Sequence, residues 1–131
     1  MLLTGGCHCA QVRFEVEVPE TLTVSECNCS VCAKAGYLAL IVAKDQFKLL
    51  SGKEAIRTYT FNTRTAQHHF CRHCGIKSFY VPRSHPDGVS VNYRCLDKAS
   101  ELAPIRKTFN GQKWEQQLPT GRADSFPNTI G

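Results

Sequence analysis

Residues 12–18 (VRFEVEV) alternate apolar and charged side chains without a break. That period of two predicts a half-buried β-strand, ended by Pro19. Residues 21–25 (TLTVS) read as a second strand, which delivers the chain to Cys27. Residues 38–43 (LALIVA) are apolar throughout and few in number, so a buried strand is expected. Residues 47–50 predict another short strand, stopped at Ser51-Gly52, and residues 57–61 (RTYTF) are rich in β-formers. Residues 67–71 lead into a turn at Cys74-Gly75 and residues 76–81 lead out, which places that turn at the tip of a β-hairpin. Two prolines and an Asp-Gly pair make residues 82–88 (PRSHPDG) a loop, and residues 89–92 (VSVN) alternate as a strand running toward Cys95. Residues 108–111 (TFNG) read as a turn, and residues 112–118 as one or two helical turns around Trp114. After Pro119 a loosely held tail is expected.

Many short strands with turn punctuation predict a mainly β fold. At 131 residues the chain is read as one domain, with a core over about 5–118 and the tail over 119–131. Neither an internal repeat nor a low-complexity tract is present. No apolar run approaches the length of a membrane span, and the first residues lack the basic and long apolar regions of a secretory signal. A cytoplasmic location is therefore expected, and in a reducing compartment clustered cysteines read as metal ligands or catalytic thiols before disulfides.

Seven of the eight cysteines fall into two metal-ligand patterns. Cys7-His8-Cys9 and the distant Cys71-Arg72-His73-Cys74 together offer four thiolates, the donor set of a closed tetrahedral structural zinc site. Gly5, Gly6 and Gly75 supply the tight backbone that such knuckles need. A metal shared by the two pairs would close a long loop. Cys27-Asn28-Cys29-Ser30-Val31-Cys32 offers only three thiols. Its fourth position is either left open for water or a small thiol, as in catalytic sites, or closed by Cys95 or a histidine. A thiol bound at an open position would be held deprotonated and delivered as a nucleophile. Two Zn2+ per chain also change the charge balance. Seven thiolates carry −7 and two ions +4, so the formal +5 falls to about +2. The basic balance is then no argument for nucleic acid, and no aromatic-plus-basic nucleic-acid motif is present.

The remaining candidates are individual residues. Cys95 could be a fourth ligand, a redox nucleophile or a small core residue. His8 and His73 sit beside ligands and cannot easily turn toward the same metal. His68 and His69 are adjacent, so in a strand one points in and one out, and one of them could face the open site as base or hydrogen-bond donor. His85 lies in the proline-rich loop. Arg57, Arg64, Arg72, Lys77, Arg83 and Arg94 flank the second half of the cysteine framework, where some could neutralise a small anionic substrate.

The motifs Gly5-Gly6-Cys7-His8-Cys9, Cys27-Asn28-Cys29-Ser30-Val31-Cys32 and Phe70-Cys71-Arg72-His73-Cys74-Gly75 resemble those of the glutathione-dependent formaldehyde-activating enzyme family. Residues 58–63 (TYTFNT), 66–68 (AQH) and 78–84 (SFYVPRS) look most like its centromere protein V branch. The resemblance extends from about Gly5 to Asp97. It implies an Mss4-like fold of coiled antiparallel β-sheets, a structural zinc on Cys7, Cys9, Cys71 and Cys74, and a second zinc on Cys27, Cys29 and Cys32. It implies condensation of glutathione with formaldehyde to S-hydroxymethylglutathione, classed as carbon–sulfur lyase chemistry. Cys27, Cys29 and Cys32 are then catalytic. His68 is added as a proton donor on the residues alone, outside what the family pattern assigns. Glutathione or another small thiol is the expected substrate, with no membrane partner. The alternatives are a zinc-stabilised module that binds protein or nucleic acid, and thiol redox chemistry with Cys95 as nucleophile.

Overall fold

A computed structural model describes residues 1–114, 118, 123 and 126–130. Three antiparallel strands, β1 (Leu2–Gly6), β2 (Arg13–Glu17) and β5 (Phe47–Ser51), form one sheet with β2 in the middle. The alternation in β2 turns Phe14 and Val16 fully inward while its charged positions face outward, as a strand with one buried face requires. Five strands form a second sheet in the order β10 (Ile105–Phe109), β3 (Thr23–Cys27), β4 (Leu38–Ala43), β9 (Gly88–Asn92) and β8 (Phe79–Tyr80). A two-stranded ribbon, β6 (Ile56–Tyr59) with β7 (His68–Cys71), completes the mainly β architecture. The only α-helix among the described residues is α1 (Ser30–Ala35), stopped by Gly36 at φ 63°. No helix among the described residues is long and apolar enough to cross a membrane.

Strand β4 separates two packed clusters. Its side chains are buried on both faces, which is why the sequence shows no alternation there. Leu38, Leu40 and Val42 enter the main core with Phe14, Val24 and Val91. Ala39 and Ile41 face the other way and join a smaller cluster with Tyr37 and Tyr80, against which Phe126 packs.

The sheets depart from the sequence expectations in specific places. Pairing is antiparallel throughout except between β10 and β3, which run parallel. The strand expected over 21–25 is shifted to Thr23–Cys27, and that over 57–61 starts and stops earlier, at Ile56–Tyr59. Of the strand expected over 76–81, Phe79–Tyr80 remains, with a bridge between Gln67 and Val81. The hairpin around Cys74-Gly75 is real, because Cys71 N–H bonds the Ile76 carbonyl at 3.1 Å and Gln67 and Val81 exchange two backbone bonds. Its two arms, however, belong to different sheets.

Strands β1 and β10 and helix α1 have no counterpart among the expected elements. Two of the five residues of β1 are glycines, disfavoured in strands, but a Cβ on Gly5 would lie 2.5 Å from the Cys95 carbonyl oxygen. Thr108 and Phe109, read from sequence as part of a turn, are the end of β10, and the turn begins at Asn110. The helical turns expected over 112–118 are a 3-10 turn, Gly111–Lys113, running into a helical Trp114. Residues 115–117 lie outside the described residues. Of the tail over 119–131, Asn128 is fully buried and not loosely held. It accepts from Thr23 N–H at 2.9 Å and donates to the carbonyls of Thr23 and Ile41, both at 3.0 Å.

Candidate functional site

The four-cysteine group is assembled from the two distant pairs. Cys7 and Cys9 follow β1, Cys71 ends β7, and Cys74 lies in the hairpin turn. All four sulfurs lie within 4.8 Å of one another, with Cys9 3.6 Å from both Cys7 and Cys71. Zinc bound tetrahedrally by sulfur at about 2.3 Å sets its ligands about 3.8 Å apart, so the sulfurs already stand at ligand spacing. Backbone amides aim at them: Val12 N–H reaches Cys7 Sγ at 3.3 Å and His73 N–H reaches Cys71 Sγ at 3.4 Å. Both knuckles pass through left-handed backbone, at Ala10 (φ 66°) and Gly75 (φ 77°). Ala10 adopts that conformation without the freedom of a glycine.

Cys27, Cys29 and Cys32 form the second group, their sulfurs also mutually within 4.8 Å. Cys27 closes β3, Cys29 precedes the first residue of α1 and Cys32 lies inside that helix. The electrostatics of the three thiols are unequal. Hydrogen bonds from the Cys27 and Cys32 thiols, joined by backbone amides, pull Cys29 down to about 2. The same hydrogen bonding pushes Cys32 strongly up, and Cys27 rises because of Cys29. One negative charge is therefore accepted readily and further charges are resisted, until a cation compensates them. All-sulfur donors at this spacing suit a soft or borderline cation such as zinc. Each of the two groups could thus hold a metal ion.

No fourth side chain completes the triplet among the described residues. Cys95 belongs to neither group. It ends the 3-10 turn after β9, its carbonyl abuts Gly5, and burial followed by the charges of Cys7 and Cys74 pushes its thiol up to about 11. His8, His73 and His85 also stand outside both groups.

The triplet opens instead onto a cavity of about 560 Å3, within the range of small-molecule sites. Cys27, Cys29 and Cys32 line it together with Phe61, His68 and Tyr80. Strand β7 explains the two adjacent histidines. His68 points inward and is 5% exposed, while His69 turns to the other face and pairs through Nδ1 with Thr58 Oγ1 at 2.8 Å. His68 is stacked between Phe61 (ring centroids 5.5 Å apart) and Tyr80 (5.0 Å). Its Nδ1 lies 2.7 Å from Lys77 Nζ, and its Nε2 is buried with no partner among the described residues. Burial, then the Lys77 charge, lowers His68 to about 4. Lys77 is itself brought to about 8 by burial, against the opposing pull of the three thiols. Its ammonium sits 3.8 Å above the Tyr80 ring and 4.8 Å from that of Tyr37.

Several of these residues carried no distinctive sequence signal. Lys77 was one of six flanking cations, Tyr37 fell outside every expected element, and Tyr80 entered only through the strand expected over 76–81 and the segment SFYVPRS. Arg83 also reaches the cavity, with its guanidinium 3.6 Å over the Trp114 ring. Gly111 is the least expected. A Cβ there would fall 2.4 Å from Cys27 Sγ and 2.6 Å from Cys29 Cβ. The turn that carries it is tied to the triplet through Gln112, whose N–H reaches Asn28 Oδ1 at 3.1 Å.

The family model described as glutathione-dependent formaldehyde-activating enzyme matches residues 2–112. A protein of Halomonas elongata, provisionally named a glutathione-dependent formaldehyde-activating enzyme, is 33% identical over 114 residues, covering 81% of this chain and 73% of that protein. A crystal structure of a Rhodobacter sphaeroides protein, determined as a structural genomics target, is similar with a TM-score of 0.73. It is 33% identical and spans 82% of this chain and 100% of its own.

Proposed function

Given that the chain belongs to the glutathione-dependent formaldehyde-activating enzyme family, we propose that it adds a small thiol to an aldehyde, with glutathione and formaldehyde giving S-hydroxymethylglutathione. In this reading Cys7, Cys9, Cys71 and Cys74 hold a structural zinc, and Cys27, Cys29 and Cys32 hold a second. When bound by the triplet, zinc supplies the Lewis acidity that keeps a thiol deprotonated near neutral pH. The observation that carries the proposal is the contrast between the two groups. Four sulfurs saturate one, whereas the three of the other stand in a cavity wall with no fourth protein ligand among the described residues.

The remaining chemistry falls to the side chains. Sulfur attacks the carbonyl carbon, a carbon–sulfur bond forms, and the carbonyl π pair moves to oxygen. The proton lost from the thiol returns to that oxygen, through solvent, so no other reactant is needed. In this reading His68, which lines the same cavity, stabilises the developing oxyanion. Phe61 and Tyr80, stacked on His68, hold the imidazole in place and keep water from its faces. The reverse reaction is cleavage of the same carbon–sulfur bond, which is the sense of a carbon–sulfur lyase. Chemistry that depends on free thiolates suits a reducing, cytoplasmic setting.

The test is the rate of exchange between glutathione and formaldehyde, followed by NMR with and without the zinc-loaded protein. The yield carries no information, because a catalyst leaves the equilibrium unchanged. Acceleration that disappears in Cys29→Ser is the expected result. No acceleration by protein carrying two zincs would reject formaldehyde addition and turn attention to a binding role for the cavity.

A further inference from the structure

His68 and Lys77 present a problem of proton accounting that restricts what the cavity can do. An ammonium group has three N–H donors and no acceptor, and an imidazolium has two N–H donors and no acceptor. At 2.7 Å, Lys77 Nζ and His68 Nδ1 share a hydrogen bond, so the two groups are not both protonated. The setting favours the charge on Lys77. Burial opposes a charge on either group, but the Lys77 ammonium is compensated over the Tyr80 ring and near that of Tyr37. Burial works against a charge on His68, which is enclosed by Phe61 and Tyr80. Lys77 then donates, Nδ1 accepts, and the single imidazole proton sits on Nε2.

We propose that Lys77 is a positioning residue that locks His68 in its Nε2–H tautomer, making His68 a hydrogen-bond donor in the cavity and excluding it as fourth metal ligand. A metal-bound histidine needs a bare nitrogen toward the metal and directs its other N–H to an acceptor. Here the second nitrogen meets a donor, so the arrangement is reversed. The buried Nε2 has no partner among the described residues, so an oxygen of a bound ligand that reaches it would complete its hydrogen bonding. The ligand class follows: a molecule presenting a carbonyl or anionic oxygen, in place of one presenting a further N–H donor. The fourth position of the triplet stays available for exchange. The catalytic part of this inference rests on the thiol-addition reading above, whereas the tautomer does not.

Long-range 15N–1H correlation spectra of the imidazoles, with His68 assigned by its loss in His68→Gln, read the tautomer directly. In the full chain at neutral pH, His68 is expected to show a protonated-type Nε2 and an acceptor-type Nδ1. Both should be unchanged by loading with zinc. Lys77→Met, which places an apolar chain against the tyrosine rings, should mix the two forms, and Lys77→Arg should restore the single form. A protonated Nδ1 in the wild type, loss of the Nε2 proton on zinc loading, or an unaltered pattern in Lys77→Met would each overturn the proposal. In the exchange assay Lys77→Met is expected to lower kcat by about tenfold, less than the roughly 10²–10³ for outright loss of an oxyanion donor. KM for the thiol should hold. Lys77→Arg should recover most of the rate. Failure of the reaction with the tautomer confirmed rejects the thiol-addition reading alone, and a wrong tautomer with the reaction confirmed rejects this inference alone.

Discussion

Replacing Gly111 with alanine tests whether the turn after β10 shapes the three-cysteine centre. The added Cβ would lie 2.4 Å from Cys27 Sγ, 2.6 Å from Cys29 Cβ and 3.0 Å from Cys29 N. Ordinary contacts between such atoms are about 3.5–4.0 Å, so something must retreat by about 1 Å. Neither side can move freely. Phe109 is in register with Cys27 in the β10–β3 pair, Asn28 N–H bonds the Phe109 carbonyl at 3.3 Å, and Gln112 is tied to Asn28. Rotation of the Cys27 side chain would relieve only the sulfur contact, so the Cys29 knuckle must shift as well, and the three sulfurs lose their mutual spacing. Metal sites tolerate ligand displacements of about 0.2 Å, far less than the shift required. Gly111→Ala should therefore bind one zinc where the wild type binds two, measured by chelator release. Overpacking of this kind should cost about 1–3 kcal/mol in denaturant unfolding. Gly36→Ala is the control. It strains a left-handed residue (φ 63°) with no atom within 4 Å of the new Cβ, so it should cost about 1 kcal/mol and keep both metals. If Gly111→Ala retains two zincs at wild-type affinity, the steric argument is wrong.

Three further outcomes follow from the same structure. Cys74→Ser should lose one zinc and about 4 kcal/mol of stability, the range for loss of a structural metal, whereas Cys29→Ser should lose one zinc with a much smaller shift in Tm. Asn128→Ala removes the side chain that satisfies two carbonyls and one N–H of β3 and β4, and should destabilise by about 1–3 kcal/mol in urea unfolding. The Arg13 guanidinium and the Thr4 hydroxyl hold Asp97 below its ordinary value. A lowered carboxylate stabilises the fold above its unfolded pKa and loses that contribution as pH falls through its folded value. Asp97→Asn should therefore cost less than about 1 kcal/mol at pH 7, given the exposure of the pair, and nothing once Asp97 is protonated in acid. A difference that persists in acid would contradict the assignment.

What the sequence by itself determined is local. The triplet Cys27, Cys29 and Cys32 and each of the pairs Cys7/Cys9 and Cys71/Cys74 span only a few residues, so these ligand patterns are legible without a fold, whereas the joining of the two pairs, 62 residues apart at Cys9 and Cys71, is tertiary. Strand β2 and the buried run of β4 are legible for the same reason, since alternation and its absence report how many faces are covered. Other elements have weak local preference and exist through their partners. Strand β1 is rich in glycine, and β10 is mostly exposed and depends on parallel pairing with β3. Helix α1 is only six residues long, too short to stand alone in water. Only the tertiary structure decided that Cys95 lies apart from the triplet, that the centre opens onto a cavity, and that His68 faces it. It also brought Lys77 onto His68 and Gly111 against Cys27. Those contacts lie across the hairpin and between β3 and the turn after β10, and spacing along the chain cannot encode them. A cavity arises where packed layers diverge, and a side chain's protonation follows from what the fold places within hydrogen-bonding distance.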